Sequence, residues 1–138
     1  VAHPYHPLYP VLLGLGRVLV PHAEIAGYSL AVLLTTLTLA PLWSTARELG
    51  GPKAGWAALV LFLIVPEPFR LSVSILTEPL FILCFVSQCW AGCMALRRGG
   101  LRYFALAGLF AGLSYLTRPE GPVPLLALGG AAVLPLWG

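Results

Sequence analysis

Apolar residues run through this chain in long stretches, separated by short clusters of charge, proline and glycine. A helix needs about 20 apolar residues to cross a hydrocarbon core of ~30 Å. Four stretches approach that length: residues 25–45, residue 54 into the proline-containing stretch 66–70, residues 79–96 and residues 103–116. A fifth starts near Val123 and is still apolar where the sequence ends. Residues 8–20 are apolar but short, and Pro10, Gly14, Gly16 and Arg17 interrupt them, which predicts an interfacial or re-entrant segment. The second stretch is the least regular. Pro66, Pro68 and Arg70 break it, and an interior proline removes a backbone hydrogen bond and kinks or ends a helix. The pattern there predicts a tilted, kinked span ending near Phe69, with residues 71–76 along the membrane surface. The fourth stretch is short for a full crossing. Together these stretches predict an all-α fold: a multi-pass transmembrane helical bundle of about four to five spans plus an interfacial N-terminal segment. Residues 1–138 form one membrane-embedded region on this pattern.

Composition excludes a soluble globule. Of 138 residues, 59% are apolar and 9% are charged, with a mean hydropathy of +0.89. Soluble domains carry about 25% charged residues, so lipid must cover what polar side chains here do not. The pI near 9.0 does not imply nucleic acid as a partner, because most of the positive charge sits in two short clusters and not along a stripe. The only methionine, Met94, lies deep in the chain, and the final residues fall inside an apolar run. The sequence therefore reads as a stretch of a longer protein. No basic region followed by an apolar core, the mark of a signal peptide, opens it.

Charge also orients the spans. Arg47 and Lys53 flank one loop, and Arg97, Arg98 and Arg102 flank another; these are five of the eight lysines and arginines. The positive-inside rule places both loops in the cytoplasm. Alternation then puts residues 1–24, 66–78 and 117–122 on the opposite side. Four of the five glutamates (Glu24, Glu67, Glu78 and Glu120, but not Glu48) fall there, together with His3, His6, His22, Arg17, Arg70 and Arg118. Groups able to bind or polarise a ligand thus gather at one membrane surface, which predicts a site facing outward.

Three constellations on that side could carry chemistry. His3-Pro4-Tyr5-His6-Pro7-Leu8-Tyr9-Pro10 is too rich in proline for a regular helix and favours an extended segment. Its tyrosines suit an ordinary interfacial loop, and its two histidines lack a third ligand for a metal. Thr77-Glu78-Pro79 reads as a helix start, with threonine at the cap and glutamate against the positive end of the helix dipole. The functional alternative is a carboxylate held rigidly at a helix mouth, able to bind a sugar hydroxyl or a cation. Thr117-Arg118-Pro119-Glu120-Gly121 joins two apolar stretches. Its arginine either snorkels to the headgroups or binds phosphate in the two-pronged way a guanidinium allows.

Inside the stretches, Gly108 and Gly112 form a GxxxG pair that lets another helix approach closely. Ser87 and Gln88, in mid-span, are expected to hydrogen-bond to neighbouring helices. Cys84, Cys89 and Cys93 share one apolar stretch and lack further ligands nearby, so they read as small packing residues and no metal site is expected. No charge lies near the middle of any stretch, which counts against an ion pathway.

Three motifs, in this order, resemble the GT-C class of integral membrane glycosyltransferases, close to the dolichyl-phosphate-mannose–protein mannosyltransferase and aminoarabinose transferase group. His6-Pro7-Leu8-Tyr9-Pro10 resembles the His-Pro motif of the family's first extracytoplasmic loop. Ile75-Leu76-Thr77-Glu78-Pro79-Leu80-Phe81 resembles its Ser/Thr-Glu-Pro helix start. Gly108-Leu109-Phe110-Ala111-Gly112-Leu113, continuing to Leu116-Thr117-Arg118-Pro119-Glu120-Gly121, resembles its helix ending in a basic residue and proline.

The resemblance implies inverting transfer of a sugar from a polyprenyl-phosphate donor to a protein or glycolipid acceptor, on the extracytoplasmic or lumenal side. It implies His6, Glu78 and Arg118 as substrate-binding residues, with Arg118 on the donor phosphate. It also implies an aspartate as general base, and this sequence contains no aspartate at all. The catalytic residue is therefore unknown, no cofactor is assigned, and the chain alone is expected to be inactive. A transporter or a non-catalytic membrane scaffold is the alternative from another class.

Overall fold

A computed structural model describes residues 8–19, 22–65 and 78–133. Those residues form five helices and no strand: α1 (Leu8–Leu19), α2 (Ala23–Ile64), α3 (Glu78–Arg98), α4 (Leu101–Tyr115) and α5 (Val123–Val133). Each predicted apolar stretch is helical, with ends that shift by a few residues. Of residues 8–20, Leu8–Leu19 form an uninterrupted helix, because Pro10 falls in the first turn, where the missing amide has no helical partner to lose. The expected surface segment 71–76 and the kinked end at 66–70 lie outside the described residues.

The α2 helix is broken in two. Gly51 sits at φ 81° and ψ −177°, a backbone region in which a Cβ would clash. Pro52 then opens the second arm, at a first-turn position that suits it. The two arms fold back on each other. A Cβ on Gly55 would stand 2.9 Å from Trp43 Nε1 and 3.3 Å from the Cβ of Arg47, whereas residues 43 and 55 of a straight helix are about 18 Å apart. The second arm ends at Val65, whose amide still bonds the Leu61 carbonyl at 3.1 Å. Val65 takes the extended backbone (φ −66°, ψ 123°) that a following proline imposes.

The α3 helix is the centre of the molecule, packed against α2, α4 and α5, while α1 lies on α2. Leu34 of α2 and Leu80 and Cys84 of α3 form a buried cluster, joined by Leu12 and Leu13 of α1 and Leu113 of α4. The rest of the core is built from small residues. Ala26, Ala31, Ala91, Ala95, Ala107 and Ala111 are buried, as are the polar Thr38, Ser87, Gln88, Ser114 and Thr117. Large apolar side chains such as Leu33, Leu61, Leu63, Ile64, Leu109 and Leu126 point outward. This is the distribution expected where the surroundings are as apolar as leucine and helices associate through close backbone approach.

Two helical segments are long and apolar enough to cross a membrane, Glu24–Ile64 and Glu78–Arg98. The α1, α4 and α5 helices have 12, 15 and 11 residues, so the expected four to five spans are not reached by length among the described residues. The GxxxG pair also differs from expectation. Gly108 and Gly112 face open space, and α4 packs through the neighbouring face of Ala107, Ala111 and Ser114.

Candidate functional site

The ion pairs among the described residues lie at the two ends of α3. At its C-terminal end Arg98 pairs with the Glu48 carboxylate, and Arg97 donates to the Glu48 carbonyl. This ties the predicted basic loops, residues 46–53 and 97–102, to each other. Two glycines at positive φ, Gly99 and Gly100, then turn the chain directly from α3 into α4.

At the N-terminal end of α3 the chain brings together Glu78 and Arg118, 40 residues apart in sequence. Glu78 is the first residue of α3, and the buried Pro79 follows it in the first turn. The expected threonine cap, Thr77, lies outside the described residues. The Arg118 guanidinium donates to Glu78 Oε1 and lies over the Phe81 ring, 5.5 Å from its centroid. A cation over an aromatic face is held by the ring quadrupole as well as by its ion pair. Both side chains remain partly open, at 23% for Glu78 and 39% for Arg118. The other carboxylate oxygen, Glu78 Oε2, is buried and has no partner among the described residues. Buried polar atoms are rarely left without a partner, and each exception calls for an explanation.

The turn that carries Arg118 is locked from below. The Ser114 carbonyl, at the end of α4, accepts from the amides of Thr117 (3.1 Å) and Arg118 (2.8 Å) and from the Thr117 hydroxyl (2.6 Å). The Arg118 carbonyl accepts from the Gly121 amide at 3.0 Å. Pro119 is the second residue of this turn, where its fixed φ is already correct. Gly121 is pressed against Ser114 so closely that a Cβ would meet the Ser114 carbonyl oxygen at 2.7 Å.

Gln88 supports the turn from about three helical turns inside α3. In the one amide orientation that satisfies both neighbours, its nitrogen donates to the Gly121 carbonyl at 3.0 Å and its oxygen accepts from the Leu125 amide at 2.9 Å. The sequence signals this bond only as a lone amide in an apolar stretch; its partners are backbone groups of the turn and of α5.

With that geometry in place, comparison with known proteins decides the family. Residues 2–135 match the dolichyl-phosphate-mannose-protein mannosyltransferase family. The chain belongs to this family. Its members are membrane glycosyltransferases of the GT-C type, as the three motifs implied. No curated protein and no solved structure matches the chain.

Within this mannosyltransferase-family chain, two of the three expected site residues lie among the described residues. Glu78 and Arg118, assigned to separate motifs, are in direct contact. His6 lies outside the described residues, as do Glu67 and Arg70. Phe81, which shields one face of the guanidinium, has no separate signal in the sequence beyond its place one turn after Glu78.

Proposed function

We propose that this chain forms the donor-binding part of a multi-pass glycosyltransferase that moves a sugar from a polyprenyl-phosphate donor to a protein or glycolipid acceptor at the extracytoplasmic or lumenal face. The observation that carries this is the Arg118–Glu78 pair, held at the end of α3 opposite the basic loops. Those loops lie in the cytoplasm by the positive-inside rule, so the pair faces outward.

In such a transfer the acceptor hydroxyl attacks the anomeric carbon, the bond from that carbon to the phosphate oxygen breaks, and the polyprenyl phosphate leaves with added negative charge. Attack opposite the leaving group gives inversion. Arg118 is the cation for that charge. A guanidinium has five N–H donors, of which one is engaged by Glu78. The others can reach two phosphate oxygens at once, the geometry in which arginine binds phosphate most strongly. Glu78 orients the guanidinium with Oε1, and it is assigned to substrate binding from its motif. His6 is assigned to the same mouth from its motif. No residue here takes the part of the general base, for which the resemblance expects an aspartate.

The test is turnover of a polyprenyl-phosphate-linked sugar by the full-length protein. Losing one preorganised donor to a developing charge costs about 10²–10³ in rate, and Arg118→Ala is expected to lose that much. Arg118→Lys keeps the charge without the fork and should retain part of it. Full turnover by Arg118→Ala would remove Arg118 from the site.

A further inference from the structure

The end of α3 opposite the Arg118–Glu78 pair has its own construction. Five cations converge there, Arg47, Lys53, Arg97, Arg98 and Arg102, against the single carboxylate of Glu48. Glu48 engages Arg97 and Arg98. Among the described residues, no carboxylate pairs with Arg47, Lys53 or Arg102, and all three are exposed. Two of them are held against aromatic rings, Arg47 over Trp43 at 4.8 Å and Arg102 over Tyr103 at 5.9 Å. Ring contact fixes where each guanidinium stands while leaving its N–H edges available.

A groove of about 420 Å³ lies between α2, α3 and α4. Pro41, Ser44, Leu83, Ser87, Trp90 and Phe110 line it, apolar apart from two hydroxyls. Ser44 stands one turn before Arg47, and Trp90 packs edge-on against Tyr103, with centroids 6.4 Å apart. The groove thus adjoins both arginine–ring contacts, through Ser44 next to Trp43 in sequence and through Trp90 against Tyr103. Clusters of four to eight basic residues beside a membrane-spanning helix attract anionic lipid, at about 1 kcal/mol for each Lys or Arg near the surface.

We propose that this end of the molecule is a binding site for one anionic membrane phospholipid, with its headgroup phosphate on Arg47 and Arg102 and an acyl chain in the groove. Charge identifies the headgroup as anionic. The adjoining apolar groove distinguishes a seated lipid from general attraction to the membrane surface. The site is separate from the Arg118–Glu78 pair, and the proposal does not depend on what that pair binds.

The test is lipid retention by the purified full-length protein, read by native mass spectrometry after exchange into detergent with equal phosphatidylglycerol and phosphatidylcholine. The native protein should keep phosphatidylglycerol at least about tenfold in excess, and the preference should fall as salt is raised. Arg47→Gln with Arg102→Gln should bring the ratio near one, and Arg47→Lys with Arg102→Lys should keep most of it, which separates loss of charge from loss of fold. Ser44→Phe, which fills the groove, should lower retention of both lipids while leaving the arginines in place. Equal retention of the two lipids by the native protein, or an unchanged ratio in the double glutamine variant, would overturn the proposal. Displacement of the phospholipid by a polyprenyl phosphate at equal concentration would overturn it as well, by giving the groove to the donor.

Discussion

Gln88 and Gly121 show how a single position sets the candidate site without touching a ligand. The Gln88 side chain bonds both the Gly121 carbonyl and the Leu125 amide, and removing it leaves the carbonyl buried without a partner. An unsatisfied buried group costs about 1–3 kcal/mol. Gln88→Leu, close in volume, is expected to lower stability by that order in a detergent unfolding titration and to reduce turnover by loosening the Arg118 turn. Gly121→Ala fails for a different reason, since the new methyl meets Ser114 backbone and side-chain atoms at 2.5–2.7 Å. Forced overpacking of this kind costs about 1–3 kcal/mol, and the same titration should register it. Gly108→Ala serves as the contrast. Gly108 has open space around it and alanine is the better helix former by about 1 kcal/mol, so this substitution should leave stability unchanged or raise it.

Among the elements, α2 is where periodicity alone falls short. Its apolar stretches were legible as two, 25–45 and 54 onward, but the way they meet was not, because the whole reversal rests on the backbone of one residue. Gly51 at φ 81° and ψ −177° is conformationally costly for any other L-residue, by about 1–3 kcal/mol. Gly51→Ala is expected to destabilise the hairpin by that amount, and cysteine cross-linking between the two arms should become less efficient. The starts of α3 and α5 were easier to read, since proline, glutamate and glycine announce them in the sequence. The packing face of α4 was not. A GxxxG spacing and the Ala107-Ala111 spacing lie one residue apart, and only the surrounding helices decide which one is covered.

The molecule as a whole separates two kinds of polar chemistry along α3. Its basic end is fastened by Glu48 to Arg97 and Arg98, and its other end carries Arg118 on Glu78. The membrane class and this polarity of charge were legible from composition and from the order of the basic loops. The direct contact between Glu78 and Arg118 was not, because it joins residues 40 apart through a turn whose position depends on Gln88. Their pairing is the centre of the functional account, and coupling between them is its most direct measure. Turnover of a polyprenyl-phosphate-linked sugar by the full-length protein should be compared across Glu78→Ala, Arg118→Ala and the double variant. If one guanidinium held by one carboxylate receives the donor phosphate, each single change lowers kcat/KM and the double variant is little worse than Arg118→Ala alone. Fully additive losses, or native turnover in either single variant, would contradict it.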